Sequence, residues 1–273
     1  MVSQNLLESD VESILETTLA DVDDLVVVNP SHETVRALVS SMGGLDDTPV
    51  VNVLAEERTL KDVMDDFLVA SAAADLIEAD TLTLRVLEDP PVNSLLVSRG
   101  SVVSLATADE MVAGLATTDE AFVTDAYDHY TSEWEVAKRF KLRTPPISRV
   151  RETLERDIGE DVVADFNDVL DSLETARGNG DGLDEVTISL LVAAKNGELL
   201  YDISKWGEDI GLASKATFSR TKTQLEDQGL IDTEKVPIDV GRPRLRLKFG
   251  ADELIEASAD ELASVAQNLL QAE

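Results

Sequence analysis

The chain has 273 residues, enough for two domains, and its 55 acidic against 23 basic residues give a formal net charge of −32. Hydrophobic residues make up 43% of it and aromatics 4%, which excludes a disordered chain and predicts a core built mainly from Leu, Val, Ile and Ala. The absence of cysteine excludes a disulfide framework, a Cys-type zinc site and a thiol nucleophile.

Residues 5–20 read as a helix, because Leu6, Leu7, Ile14, Leu15 and Leu19 recur at helical spacing. Residues 25–28 form a short buried strand stopped by Asn29-Pro30, and Ser31 caps a helix that runs to about Met42 and ends at Gly43-Gly44. A second strand at 50–54, one helix at about 60–78 and a third strand at 81–88 follow. Two apolar runs flanking Arg99-Gly100 predict a hairpin, since the glycine supplies the positive φ of a tight turn. Tyr127, Tyr130, Trp134, Ala137 and Phe140 then mark a helix that ends near Lys141. This order predicts an α/β sandwich over 1–143, a candidate sensor or dimerisation domain. Pro145-Pro146 breaks the chain, and residues 148–176 read as one long amphipathic connecting helix, so that 144–182 is a linker ending in the RGNGDG loop.

The pattern changes in 183–250. Helices at 186–196, 200–209 and 214–227 are punctuated by Gly197, Gly211 and Gly229, and are followed by two strands joined through Gly-Arg-Pro. Three helices and two strands in this order predict a winged helix-turn-helix (α+β). Residues 186–250 hold 10 basic and 9 acidic residues, a net +1, while the remainder of the chain carries −33. No acid interrupts the third helix between Ser214 and Leu225, or the second strand between Gly241 and Gly250. Lys and Arg neutralise phosphates, hydroxyls position the backbone, and a helix fits the major groove. The candidate DNA contacts are therefore Ser214, Lys215, Thr217, Ser219, Arg220, Lys222 and Thr223 on the helix, with Arg242, Arg244 and Arg246 on the wing. Trp206, Phe218 and Leu225 are assigned to the core. The competing reading is an interaction scaffold whose winged helix contacts another protein. In the tail, 251–273, Ile255, Leu262 and Leu269 are seven apart and predict a heptad seam on one C-terminal helix, hence a homodimer.

Asp and Glu are spread along the whole chain rather than gathered in a tail, and 14 of the 23 basic residues are Arg. Together these favour adaptation to molar salt, where the Debye length shrinks to about 3 Å and self-repulsion costs little. The N-terminus has neither the basic nor the apolar region of a signal peptide, so a cytoplasmic protein is expected. His32 and His129, the two histidines, lack metal-ligand or triad spacing, and neither a P-loop nor a GxGxxG after a strand is present. No enzyme activity, cofactor or metal is expected. The strand-to-helix turn Asn29, Ser31, His32 is the candidate site for a small-molecule effector, because ligands gather at strand C-termini and anions at helix N-termini.

DISKWGEDIGLASKATFSRTKTQLEDQGLI followed by VGRPRLRL, together with NPSHETVRALV, WEVAKRFKLRTPP and the strong acidity, resembles the haloarchaeal TrmB suppressor (TbsP) family of winged-helix regulators. The resemblance implies a DNA-binding regulator linked to central sugar metabolism.

Overall fold

The computed structural model describes residues 6–8, 10–45, 47–108, 111–177, 183–238 and 243–271. They divide into two compact units. The first comprises Met1–Asp65 and Val69–Leu142, the second Asp66–Leu68 and Arg143–Glu273.

The first unit contains β1 (Leu6–Glu8), α1 (Val11–Leu19), β2 (Asp24–Val28), α2 (His32–Gly43), β3 (Val50–Ala55), α3 (Glu57–Met64), α4 (Phe67–Glu78), β4 (Leu82–Val86), β5 (Ser94–Val97), β6 (Val102–Ala108), β7 (Met111–Thr117) and α5 (Glu120–Val136). Its sheet has the order β1-β7-β6-β5-β2-β3-β4, with β2, β3 and β4 parallel and the remaining pairs antiparallel. The central β2 is buried on both faces, which is why it reads as an unbroken apolar run. Leu25 and Val27 join Val51, Val53, Leu82 and Leu84 in the cluster shared with α1 to α4. Val26 and Val28 join Leu54 in the cluster shared with α5. The α/β sandwich expected for this half is present.

Its elements differ from the sequence expectation at five places. Helix α5 ends at Val136 rather than near Lys141, because the chain turns extended at Ala137 and Arg139 bridges to Arg85 of β4. The turn between β5 and β6 forms without a left-handed Gly100, held instead by the Ser98 hydroxyl, which accepts the Ser101 N–H at 3.1 Å. Residues 5–20 do not form one helix. Asp10 caps α1 by accepting the Ser13 N–H at 2.9 Å, and the preceding β1 pairs with β7. A three-residue strand is too short to show a period and is decided by its distant partner. Strand β7 itself lies beyond the hairpin expected from sequence, as a third antiparallel strand next to β6. The helix expected at 60–78 is two helices, with Asp66 starting the second by accepting the Leu68 N–H at 3.1 Å.

The second unit contains α6 (Ile147–Asp157), α7 (Glu160–Asp171), α8 (Glu185–Lys195), α9 (Leu200–Asp209), α10 (Lys215–Asp227), β8 (Ile231–Val236), β9 (Arg244–Phe249), α11 (Asp252–Glu256) and α12 (Ala259–Gln271). The long connecting helix of the sequence reading is thus two helices. The chain turns at Gly159, whose φ of 157° is one that side-chain-bearing residues rarely adopt. Val150 and Leu154 of α6, with Val162, Phe166, Val169 and Leu170 of α7, lie in the same core as the winged helix. The single heptad helix of the tail is also corrected. It breaks at Ala257, and Ser258 precedes α12, where Glu261 Oε2 accepts both the Ser258 hydroxyl at 2.6 Å and its N–H at 3.2 Å. Leu254, Leu262, Ala263 and Ala266 are buried in this unit's own core, whereas Ile255 is 63% exposed. The seven-residue row therefore does not form one seam.

One buried hydrogen bond ties α6 to the helix-turn-helix. Trp206 Nε1 donates to Thr153 Oγ1 at 3.0 Å, and that hydroxyl donates to the Arg149 carbonyl at 2.7 Å. Thr153→Val should leave the indole N–H without an acceptor and cost about 1–3 kcal/mol. Thr153→Ser should recover most of the loss. The urea midpoints of the three proteins check this, and equal midpoints would remove the bond from the account of stability.

Candidate nucleic-acid interface

Helix α8 is buried on every side from Val186 to Ala194 and forms the axis of the winged helix. Gly197, at φ 67°, turns the chain into α9, and Gly211, at φ 79°, turns it out again. Ser214 caps α10 by accepting the Thr217 N–H at 3.1 Å. The crossing of α9 and α10 is unusually close. A Cβ built on Gly207 would lie 2.3 Å from the ring of Phe218, which is itself fully buried. Strands β8 and β9 pair antiparallel from Ile231↔Phe249 to Val236↔Arg244, and the segment before α9 adds a third rung, with Leu199 bridging to Arg246 and the Leu247 N–H donating to the Glu198 carbonyl at 2.8 Å.

Burial divides α10 into two faces. Phe218, Thr221, Lys222 and Leu225 are buried, while Ala216, Ser219, Arg220, Thr223, Gln224 and Asp227 are exposed, three or four residues apart. Ser219, Arg220 and Thr223 from the sequence-derived set thus share one outward stripe. Ala216 and Gln224 belong to it too and were not singled out, although their helical spacing from Arg220 was a usable signal. Ser214 and Thr217 are joined at the helix N-terminus, with their hydroxyls 2.9 Å apart. Lys222 turns the other way. It is 8% exposed, and its ammonium donates to Glu226 Oε2 at 2.6 Å.

Most cations of this module already have protein partners. Lys195 meets Asp165, Lys205 meets Asp209, Lys215 meets Glu208 at 2.7 Å and Lys248 meets Asp232 at 3.8 Å. The hydrogen bond between Lys215 and Glu208 holds the Lys215 ammonium above, and the Glu208 carboxyl below, their ordinary ranges. Arg244 contacts Asp202 at 3.2 Å and stacks 4.2 Å over the ring of Tyr201. Arg220, Lys235 and Arg246 are exposed and make no ion pair among the described residues. Arg246 lies near Glu198, whose carboxyl is pushed up by burial and by Asp202 and pulled down by that arginine. Arg242, also expected on the wing, lies outside the described residues.

In the first unit, the Asn29–His32 turn sits at the C-terminal end of β2. Asn29 adopts φ 50°, its amide donates to the Pro91 carbonyl at 2.8 Å and its own carbonyl accepts from the Ser94 hydroxyl. Ser31 caps α2 by accepting the Thr34 N–H at 3.1 Å. His32 Nε2 lies 3.5 Å from Asp62, with its side chain 56% exposed. Among the described residues no group of three or more His, Cys, Asp or Glu is arranged to hold a metal, and no helix is long and apolar enough to cross a membrane.

Comparison with curated proteins gave no match. Among solved structures, the archaeal chromatin protein TrmBL2, whose report describes a novel mode of DNA binding, aligns at 13% identity with a TM-score of 0.37. That alignment covers 51% of this chain and 55% of that one, so the chain spans about half of its length. Two family models match in succession. The N-terminal model of TbsP-like transcriptional regulators covers residues 3–145, and the C-terminal helix-turn-helix model of the same regulators covers residues 146–267. With both halves matched in order along nearly its whole length, the chain belongs to the family of TbsP-like transcriptional regulators.

Proposed function

We propose that this regulator binds double-stranded DNA sequence-specifically as a homodimer, in the cytoplasm of a halophilic archaeon, and that its targets are genes of sugar and central carbon metabolism. The observation that carries the reading is the outward stripe of α10, where hydroxyls, an amide and the unpaired Arg220 project together from a segment without acid. In a chain of net charge −32, such a surface is where a polyanion can approach. Ser214, Lys215 and Thr217 at the helix N-terminus would hold a phosphate, Ser219, Arg220 and Thr223 would meet base edges, and Arg244 and Arg246 would track the backbone beside the wing. The metabolic targets follow from the family resemblance, and the salt adaptation from the acidity. The first unit would act without catalysis, holding a small-molecule effector at the Asn29–His32 turn, where the end of a parallel strand meets a helix N-terminus.

Selection of duplexes from a random pool by the full chain tests the reading. A recovered consensus supports it, and recovery of unenriched sequence would remove it in favour of a protein partner. Arg246→Ala should then weaken the consensus and a scrambled duplex alike, and should flatten the log–log salt dependence by about one unit. Titration of both duplexes at several salt concentrations checks this.

A further inference from the structure

We infer that the bare face of β6 and β7 in the first unit is where a second copy of this chain docks. This inference rests on the dimeric reading above and goes beyond it by placing the interface. On the face that α5 shares, that helix packs on β2, β3 and β5 and leaves β6 and β7 open. The register puts the pairs Ser104↔Leu115, Ala106↔Ala113 and Ala108↔Met111 on this open side, since Val103, Leu105 and Val112 point into the opposite core. Leu115 is 51% exposed and Met111 43%, and Phe122 on the first turn of α5 is 55% exposed beside them. Between the strands and α5 runs a largely apolar groove of about 530 Å³.

Charge decides which occupant fits. The strands SLLV, VVSLATA and MVAGLAT contain no charged residue, in a chain of which 29% is charged. Two chains of −32 approach most readily through surfaces that bring few carboxylates face to face, and the strands of this sheet face carry none, Asp125 of α5 being the carboxylate that lines the groove beside them. The sizes of its side chains suit a two-fold arrangement as well. Ala106, Ala108 and Ala113 form a low furrow beside the projecting Met111, Leu115 and Phe122, so a two-fold axis would set the projections of each copy into the furrow of the other. Sheets stack face to face at about 10 Å in this way. Polar groups lie at the α5 end of the groove, which Asn93, Ser104, Thr117, Asp125 and His129 line, while the open strands beyond it, with Ala106, Ala108, Met111 and Ala113, offer a polar effector little to bond.

The absence of cysteine allows a direct test. The full chain, Leu115→Glu and Val136→Glu would be compared by mass in solution, with circular dichroism confirming folding. Val136 is an 85% exposed apolar residue on another part of the same unit. Ala106→Cys and Val136→Cys would be treated with a short bismaleimide, which bridges thiols without an oxidant. We expect the full chain and Val136→Glu to have twice the 29.6 kDa of one chain, and folded Leu115→Glu to have that of one. Ala106→Cys should yield a covalent dimer and Val136→Cys should not. A full chain that stays monomeric at the concentrations where it binds DNA would overturn both this inference and the dimeric reading. A dimeric full chain whose Leu115→Glu variant remains dimeric, with Ala106→Cys uncrosslinked, would overturn this interface alone.

Discussion

Gly207→Ala is expected to destabilise the second unit by about 1–3 kcal/mol and to weaken DNA binding with it. The added methyl would meet the Phe218 ring at 2.3 Å, and a ring with no exposed surface has nowhere to swing. Helices α9 and α10 must therefore separate, and the stripe that α10 presents moves with them. Phe218→Leu removes part of the ring and opens a small cavity, so by itself it should also destabilise. Combined with Gly207→Ala, the two changes should cost less than the sum of their separate effects, since the new methyl occupies the space the ring has left. Melting curves of the four proteins at one fixed salt concentration give the cycle. Strict additivity, or a Gly207→Ala protein that melts like the parent, would mean that the close crossing does not set the geometry of the helix-turn-helix.

Arg220→Ala should have the largest effect on recognition with the least on folding. The side chain is exposed and without an ion pair among the described residues, so its removal leaves no buried group unsatisfied. A good base contact carries about 1–3 kcal/mol of discrimination, which corresponds to roughly 5- to 150-fold in affinity for the selected duplex. Affinity for a scrambled duplex should fall much less. Lys222→Met is the informative contrast. Lys222 is buried against Glu226, so its replacement should alter thermal stability and leave the preference between duplexes in place. A ratio of selected to scrambled affinity that Arg220→Ala leaves unchanged would remove the base-reading assignment. A ratio that Lys222→Met collapses would mean the buried lysine turns outward on DNA.

The winged helix was legible at nearly residue resolution because its signals are local. Gly197, Gly211 and Gly229 all take positive φ where the sequence places helix ends, and Ser214 caps the third helix. The central strands were legible for a related reason, since a strand buried on both faces is apolar throughout. Where one apolar pattern could serve two purposes, sequence reading failed. Leu6 and Leu7 continue the helical spacing of Ile14 and Leu15, yet they belong to a strand paired with a segment more than a hundred residues away. The tail shows a seven-residue row, but the break at Ala257, closed by Glu261 accepting from Ser258, divides it, and Leu262 is spent on the unit's own core.

What the sequence determined by itself was the composition of this protein and part of its local order: the acidity, the central strands β2 to β4, the helices and strands of the winged helix with their glycine ends, and the acid-free stretch in α10. Tertiary structure decided which groups are available. Counting gives the winged helix a slight positive charge, but Lys195, Lys205, Lys215, Lys222, Arg244 and Lys248 each meet a carboxylate within 4 Å, leaving Arg220, Lys235 and Arg246 unpaired among the described residues. Two of those pairings are with the acid four residues on and could be read from helical spacing, whereas Asp165 and Asp202 reach their partners across 30 and 42 residues. The physical reason is that a charge acts over a few ångströms of space, and only folding determines which residues lie that close.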